Sequence, residues 1–142
     1  MSARRKSREL ALQSLYQSEL SGQPLAVTFD VLCDHFEVNH KAVPYAKELV
    51  AGVADRLDKI DGLIQDCAQH WRLERMSVID RNILRLATFE LVFKEDVPAS
   101  VIINEALEIA KRFSTDEAAP FINGILDAIR KSVLVSGESG KE

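Results

Sequence analysis

The 142-residue sequence is 46% hydrophobic, which suffices for a core without disulfide or metal staples, and its two cysteines, Cys33 and Cys67, are far apart and outside any CxxC pair. A formal net charge of −4 divides unevenly: residues 1–8 hold Arg4, Arg5, Lys6 and Arg8 and no acid, so +4 sits at the start and −8 in the rest. That asymmetry argues against general coating of DNA and fits either local contact with a polyanion or a solvated, frayed chain start.

Apolar spacing is helical almost throughout, and Pro24, Pro44, Pro98 and Pro120 fall at breaks or just inside helix starts. The spacing predicts a first helix over 3–20, with Ala11, Leu12, Leu15 and Tyr16 inward and Gly22-Gln23-Pro24 ending it. Arg4 and Arg8 continue the core-facing stripe upstream, which places basic groups at the edge of the folded body. A short second helix is expected over 28–37, followed by a polar loop through Asn39-His40-Lys41. A third starts at Pro44 and carries Leu49, Val50, Val53 and Leu57; a fourth, with Leu63, Ile64 and Cys67, ends near Trp71.

The fifth helix begins at Ser77, which with Asp80 forms a variant capping box. Its Ile79, Ile83, Leu86 and Phe93 make one stripe and Leu84, Ala87 and Leu91 another, so it is expected to be the hub of the bundle. A sixth helix opens at Ser100 with Ile103, Ala106, Leu107 and Ala110 inward. Ser114–Glu117 reads as a second capping box, starting a last helix with the stripe Ile122, Ile125, Leu126, Ile129 and Val133. The fold class is therefore all-α with about seven helices, one domain over residues 1–135 and a disordered tail over 136–142.

Nothing in the sequence points to catalysis. His35, His40 and His70 lack partners at metal-ligand spacing, and no phosphate loop, nucleophile elbow or HExxH helix occurs. Glu105 and Glu108 read as a solvated helix face. The expectation is a protein that binds, with no cofactor and no metal. No apolar run approaches the roughly 20 residues of a membrane helix, and the basic start lacks the apolar core of an export signal, so a cytoplasmic protein is expected. Phe121 lies about 100° from the centre of the last stripe. At a helix start, its ring can belong to the periphery of the core, or it can face a nucleobase beside backbone N–H groups that bind phosphate. Glu117, one turn earlier, would meet the same phosphate and repel it.

Four segments, RRKSRELALQSLYQSEL (4–20), VIDRNILRLATFEL (78–91), VPASVIINEALEIAKRF (97–113) and PFINGILDAIRK (120–131), resemble the NusB family of transcription antitermination factors. Ser7 interrupts the basic run within the first of them. The resemblance implies two packed three-helix halves. It further implies binding of the single-stranded boxA element of nascent ribosomal RNA leaders, together with NusE, a small-subunit ribosomal protein. That complex would join NusA, NusG and RNA polymerase so that elongation passes terminators. By the same resemblance, Arg4, Arg5, Lys6, Arg8 and Phe121 with its neighbour Glu117 face RNA, and Tyr16, Glu74 and Asp80 match positions at the NusE surface. Two rival readings are an RNA-binding module of the kind found at the start of ribosomal RNA cytosine methyltransferases, and a purely structural helical adaptor. The first would call for a glycine-rich cofactor segment, which this sequence lacks.

Overall fold

Ser2 opens the first helix, α1 (Ala3–Ser21), by accepting the Arg5 N–H on its hydroxyl at 3.1 Å, and Gly22 closes it at φ 76° with its N–H on the Ser18 carbonyl. The left-handed conformation at Gly22 suits a residue without Cβ. A computed structural model describes residues 2–136, so the expected tail over 136–142 falls, but for Ser136, outside the described residues. Among the described residues the regular structure is seven α-helices and one 3-10 turn, with no strand. The all-α expectation holds.

Several boundaries differ from the expected ones, each for a local reason. Helix α2 (Leu25–His35) starts three residues before Thr28, because Pro24, at φ −55°, already sets the chain for a helix. Thr28 spends its hydroxyl on the Pro24 carbonyl at 3.2 Å from inside the first turn. Helix α3 (Val43–Asp55) stops at Arg56, whose N–H is shared between Gly52 and Val53 carbonyls, so Leu57 starts α4 (Leu57–Cys67) and does not extend the α3 stripe. Trp71 lies beyond α4, in a loop leading to the 3-10 turn Leu73–Arg75.

Ser77 caps α5 (Val78–Phe93) through the Asp80 N–H at 3.1 Å, as the sequence predicts. The Ser114–Glu117 capping box does not form as expected. Ser114 is the C-cap of α6 (Ala99–Phe113) and gives its hydroxyl to Asp80, while Ala118 starts α7 (Ala118–Ser136) after bonding the Thr115 carbonyl. The buried stripe of α6 is Ile102, Ile103, Ala106, Ile109 and Ala110; Leu107, expected inside, is half-buried.

The chain divides into two units at Arg56/Leu57. In the first, α1 packs on both α2 and α3, and α2 on α3, with Leu10, Ala11, Leu12, Leu15, Phe29, Leu49 and Val53 buried. In the second, α5 touches α4, α6 and α7, which makes it the hub the two-sided apolar pattern calls for. This unit has four helices, one more than a three-helix half. An Arg85–Asp61 pair ties α4 to α5 through two parallel bonds of 2.8 and 3.0 Å, the bidentate geometry that guanidinium and carboxylate share. Both cysteines are free and half-buried. Burial first, then the neighbouring Asp30 and Asp34 at Cys33 and Asp66 at Cys67, pushes their thiols up and keeps them protonated.

Candidate nucleic-acid and partner interface

The basic start is built into the first unit, not frayed from it. Ser7, which interrupts the basic run, is buried and donates its hydroxyl to the Ala42 carbonyl at 2.6 Å, with the Ala3 carbonyl as a second acceptor within reach at 3.0 Å. It thereby fastens the first turns of α1 to the turn before α3. Tyr45, in the first turn of α3, lies beside the arginines: the Arg4 guanidinium carbon is 3.6 Å from its ring centroid and that of Arg8 is 6.0 Å away. Stacking of this kind holds the exposed Arg4 guanidinium in place, and a guanidinium stacked by its face can still meet an anion with its edge.

The four cations are not equivalent. Arg8 is only 4% exposed and lies beside Tyr45. Arg4 and Lys6 are exposed and Arg5 is half-buried. Tyr16 belongs to the same unit, half-buried on α1.

In the second unit, the loop after α4 is clamped from two sides. Gln65 donates its amide to the Trp71 carbonyl at 2.8 Å and the Ala68 carbonyl at 3.2 Å, and accepts the Leu73 N–H at 2.9 Å. Arg81, from the first turn of α5, donates to the Met76 carbonyl at 2.8 Å. Burial, then the nearby Arg85, lowers the Arg81 pKa, but a guanidinium starts so high that it stays charged.

The clamped loop forms one wall of a pocket of about 410 Å³, with the start of α7 as the other. Trp71 and Phe121 meet edge to face there, ring centroids 5.6 Å apart at 82°. Trp71 is 60% exposed and Phe121 half-buried, so an apolar wall faces solvent. Arg72, Arg75, Asp80 and Glu117 also line the pocket. Arg72 meets Glu74 at 3.5 Å on the surface, a pair too exposed to hold either side chain firmly. The Asp80 carboxylate accepts the Ser114 hydroxyl at 2.5 Å, which fixes its direction.

Of the residues singled out in the sequence, Asp80, Glu117 and Phe121 thus come together in one pocket, with Glu74 in the adjoining 3-10 turn. Arg4, Arg5, Lys6, Arg8 and Tyr16 belong to the other unit. Trp71, Arg72 and Arg75, with Gln65 and Arg81 behind them, were not among the sequence candidates. The run His70-Trp-Arg-Leu-Glu-Arg75 carries the relevant signal, an aromatic ring interleaved with cations in a loop. Chemically, exposed rings can stack bases, guanidinium groups can meet phosphates, and the carboxylates can meet a basic protein. No group of His, Cys, Asp and Glu among the described residues could hold a metal ion.

The model of the NusB family matches residues 5–131. The transcription antitermination protein NusB of Desulfotalea psychrophila is 48% identical over 136 residues, covering 92% of this chain and 96% of that protein. Its counterpart in Myxococcus xanthus is 46% identical over 133 residues, covering 91% and 95%. Among solved structures, NusB of T. maritima superposes with a TM-score of 0.84 at 40% identity, covering 92% of each chain. A chain from a complex of antitermination factors NusB and NusE with double-stranded RNA superposes with a TM-score of 0.81 at 29% identity, covering 93% of this chain and 98% of that one.

Proposed function

The chain belongs to the NusB family, and we propose from that premise that it binds boxA-type RNA of ribosomal RNA leaders jointly with a NusE-type ribosomal protein. It is a transcription antitermination factor that acts by binding, not an enzyme. The pocket between Trp71 and Phe121 is the observation that carries the RNA reading. An unpaired base can stack on either ring, and Arg72 and Arg75 lie within the same pocket to meet the adjoining phosphates. Arg4, Arg5 and Lys6 add the electrostatic attraction, with Arg8 holding Tyr45 and Arg4 in place from inside.

The protein partner is basic in this reading, because the candidates it would meet are Glu74, Asp80 and the Tyr16 hydroxyl. Asp80 sits at a helix start with its direction fixed by Ser114, so it offers a preorganised carboxylate at little ordering cost. With RNA and the NusE-type protein bound, the factor joins NusA, NusG and RNA polymerase, in the cytoplasm. The described residues include no helix long and apolar enough to cross a membrane.

Titration decides the reading: boxA-like RNA, a scrambled single strand and a duplex, each with and without the NusE-type protein. Tightest binding is expected for the boxA-like strand with the partner present. Equal affinity for all three RNAs in both conditions would reduce the protein to a nonspecific polyanion binder and overturn it.

A further inference from the structure

A second surface, within the first unit, is built for a different kind of ligand. Gly22-Gln23-Pro24 turns the chain from α1 into α2, and a groove of about 330 Å³ runs along the pair. Its α1 wall is the row Gln13, Gln17 and Ser21, four residues apart; its α2 wall is Val27 and Val31, with Phe36 at the end. Val27 is 48% exposed, Val31 45% and Phe36 60%. Three large apolar side chains left open along one line exceed the scattered single exposures that a surface normally shows.

Charge distinguishes this surface from the RNA pocket. Between Arg8 and Lys41 the sequence has no lysine or arginine, yet it carries Glu9, Glu19, Asp30, Asp34 and Glu37, a formal charge of −5 over residues 9–40. Asp30 and Asp34 form an exposed row one step round α2 from Val27 and Val31, at the same four-residue spacing. No charged side chain lines the groove itself.

We infer that this groove is a docking site for a cationic amphipathic helix of a partner protein. Its apolar residues would insert between the glutamine row and Val27, Val31 and Phe36, and its lysines or arginines would meet Asp30 and Asp34. An apolar seam flanked by opposite charge is the pattern of helix-in-groove recognition. RNA is repelled by the same charge that attracts such a helix. A second copy of this chain would set its own exposed Asp30 and Asp34 against these, which disfavours self-association here.

The probe is a synthetic helix-forming peptide with leucines at i, i+3, i+4 and i+7 and lysines elsewhere, titrated into the isotope-labelled full chain. A scrambled peptide of the same composition and a glutamate-for-lysine counterpart serve as controls. Amide shifts at Gln13, Gln17, Val27, Val31 and Phe36 are expected with the first peptide only. Affinity should fall about fivefold or more in Val31→Ser/Phe36→Ser and, separately, in Asp30→Asn/Asp34→Asn, while boxA-like RNA binds both variants as it binds the parent. The second variant alters only exposed charges, so the claim stays testable if the first misfolds. Equal binding of the scrambled peptide would overturn the inference, as would shifts confined to other elements or protection of these amides by RNA. A concentration-dependent dimer abolished by Val31→Ser/Phe36→Ser would overturn it too, by making a second copy the occupant.

Discussion

The Ser114 hydroxyl donates to the Asp80 carboxylate at 2.5 Å, joining the end of α6 to the first turn of α5. One carboxylate therefore favours the helix dipole, receives a hydroxyl from another helix and faces the pocket that Trp71 and Phe121 share. The variants of this pair should separate structure from binding. Asp80→Asn keeps an acceptor for Ser114 and loses only the charge, so its stability cost is about 0.3–1 kcal/mol while the complex with a NusE-type protein weakens. Ser114→Ala removes the bond and frees the carboxylate to turn, at about 0.5–1.5 kcal/mol of stability. Thermal melts with partner titrations test both; unaltered partner affinity in Asp80→Asn would leave Asp80 a structural residue alone.

Gln65 illustrates a residue that acts through a loop without touching RNA itself. Its side chain makes three hydrogen bonds to backbone within Ala68–Leu73, at 2.8–3.2 Å. Gln65→Leu deletes all three while roughly preserving volume. At about 0.5–1.5 kcal/mol for each net bond, offset by water where the loop is exposed, the loss is a few kcal/mol at most and stays local. Helical content should persist, the Trp71 fluorescence should shift toward that of a mobile indole, and boxA-like RNA should bind more weakly. RNA affinity equal to the parent's would show that loop order is irrelevant to binding.

Salt dependence tests the basic start. Each phosphate neutralised on a single strand contributes about −0.7 to the slope of log K against log salt. Four fully engaged cations at the start would contribute roughly −3, but the burial of Arg8 leaves Arg4, Arg5 and Lys6, which together contribute about −2. Arg4→Ala/Arg5→Ala should flatten the slope by about 1.4, and Arg8→Ala should act mainly through stability, because it empties a space beside Tyr45. Circular dichroism and titrations at several salt concentrations separate the two effects.

Helix identity, the hub role of α5 and the flanking position of Phe121 are legible in the sequence because they follow from periodicity, which is local. The stripe Ile122, Ile125, Leu126 and Ile129 is buried as its spacing requires. What local pattern cannot supply is the choice among partners. Ser114 has the sequence of a cap for α7 and is taken by Asp80, 34 positions away. Arg8 has the charge of an RNA contact and is covered beside Tyr45 from α3. Trp71 and Phe121 are 50 positions apart, and the loop that carries Trp71 is held by the Trp71 N–H on the Ala68 carbonyl and by Gln65 on the Trp71 carbonyl, neither of which a local pattern announces.

Phe121 and Glu117 should change RNA affinity in opposite directions. They lie four positions apart in one pocket, so a base on the ring brings its phosphate toward the carboxylate. Phe121→Ala removes a stacking face, worth about 1–3 kcal/mol of RNA affinity for one base. It also removes the edge contact with Trp71, worth about 0.5–1.5 kcal/mol, so part of its effect is on loop order and has to be read beside Gln65→Leu. Glu117 lies exposed, one residue before α7 begins, and the capping box expected to engage it has not formed. Glu117→Gln therefore costs little stability and relieves repulsion of the phosphate. The gain in affinity should be some tenths of a kcal/mol up to about 1, as for a solvent-screened charge, and should shrink as salt rises. A stacking effect, by contrast, should survive added salt. Titrating boxA-like RNA against the parent and both variants at low and high salt distinguishes the two terms. Normal binding by Phe121→Ala would place the RNA surface outside this pocket, and an unchanged affinity in Glu117→Gln at low salt would mean that no phosphate approaches the start of α7.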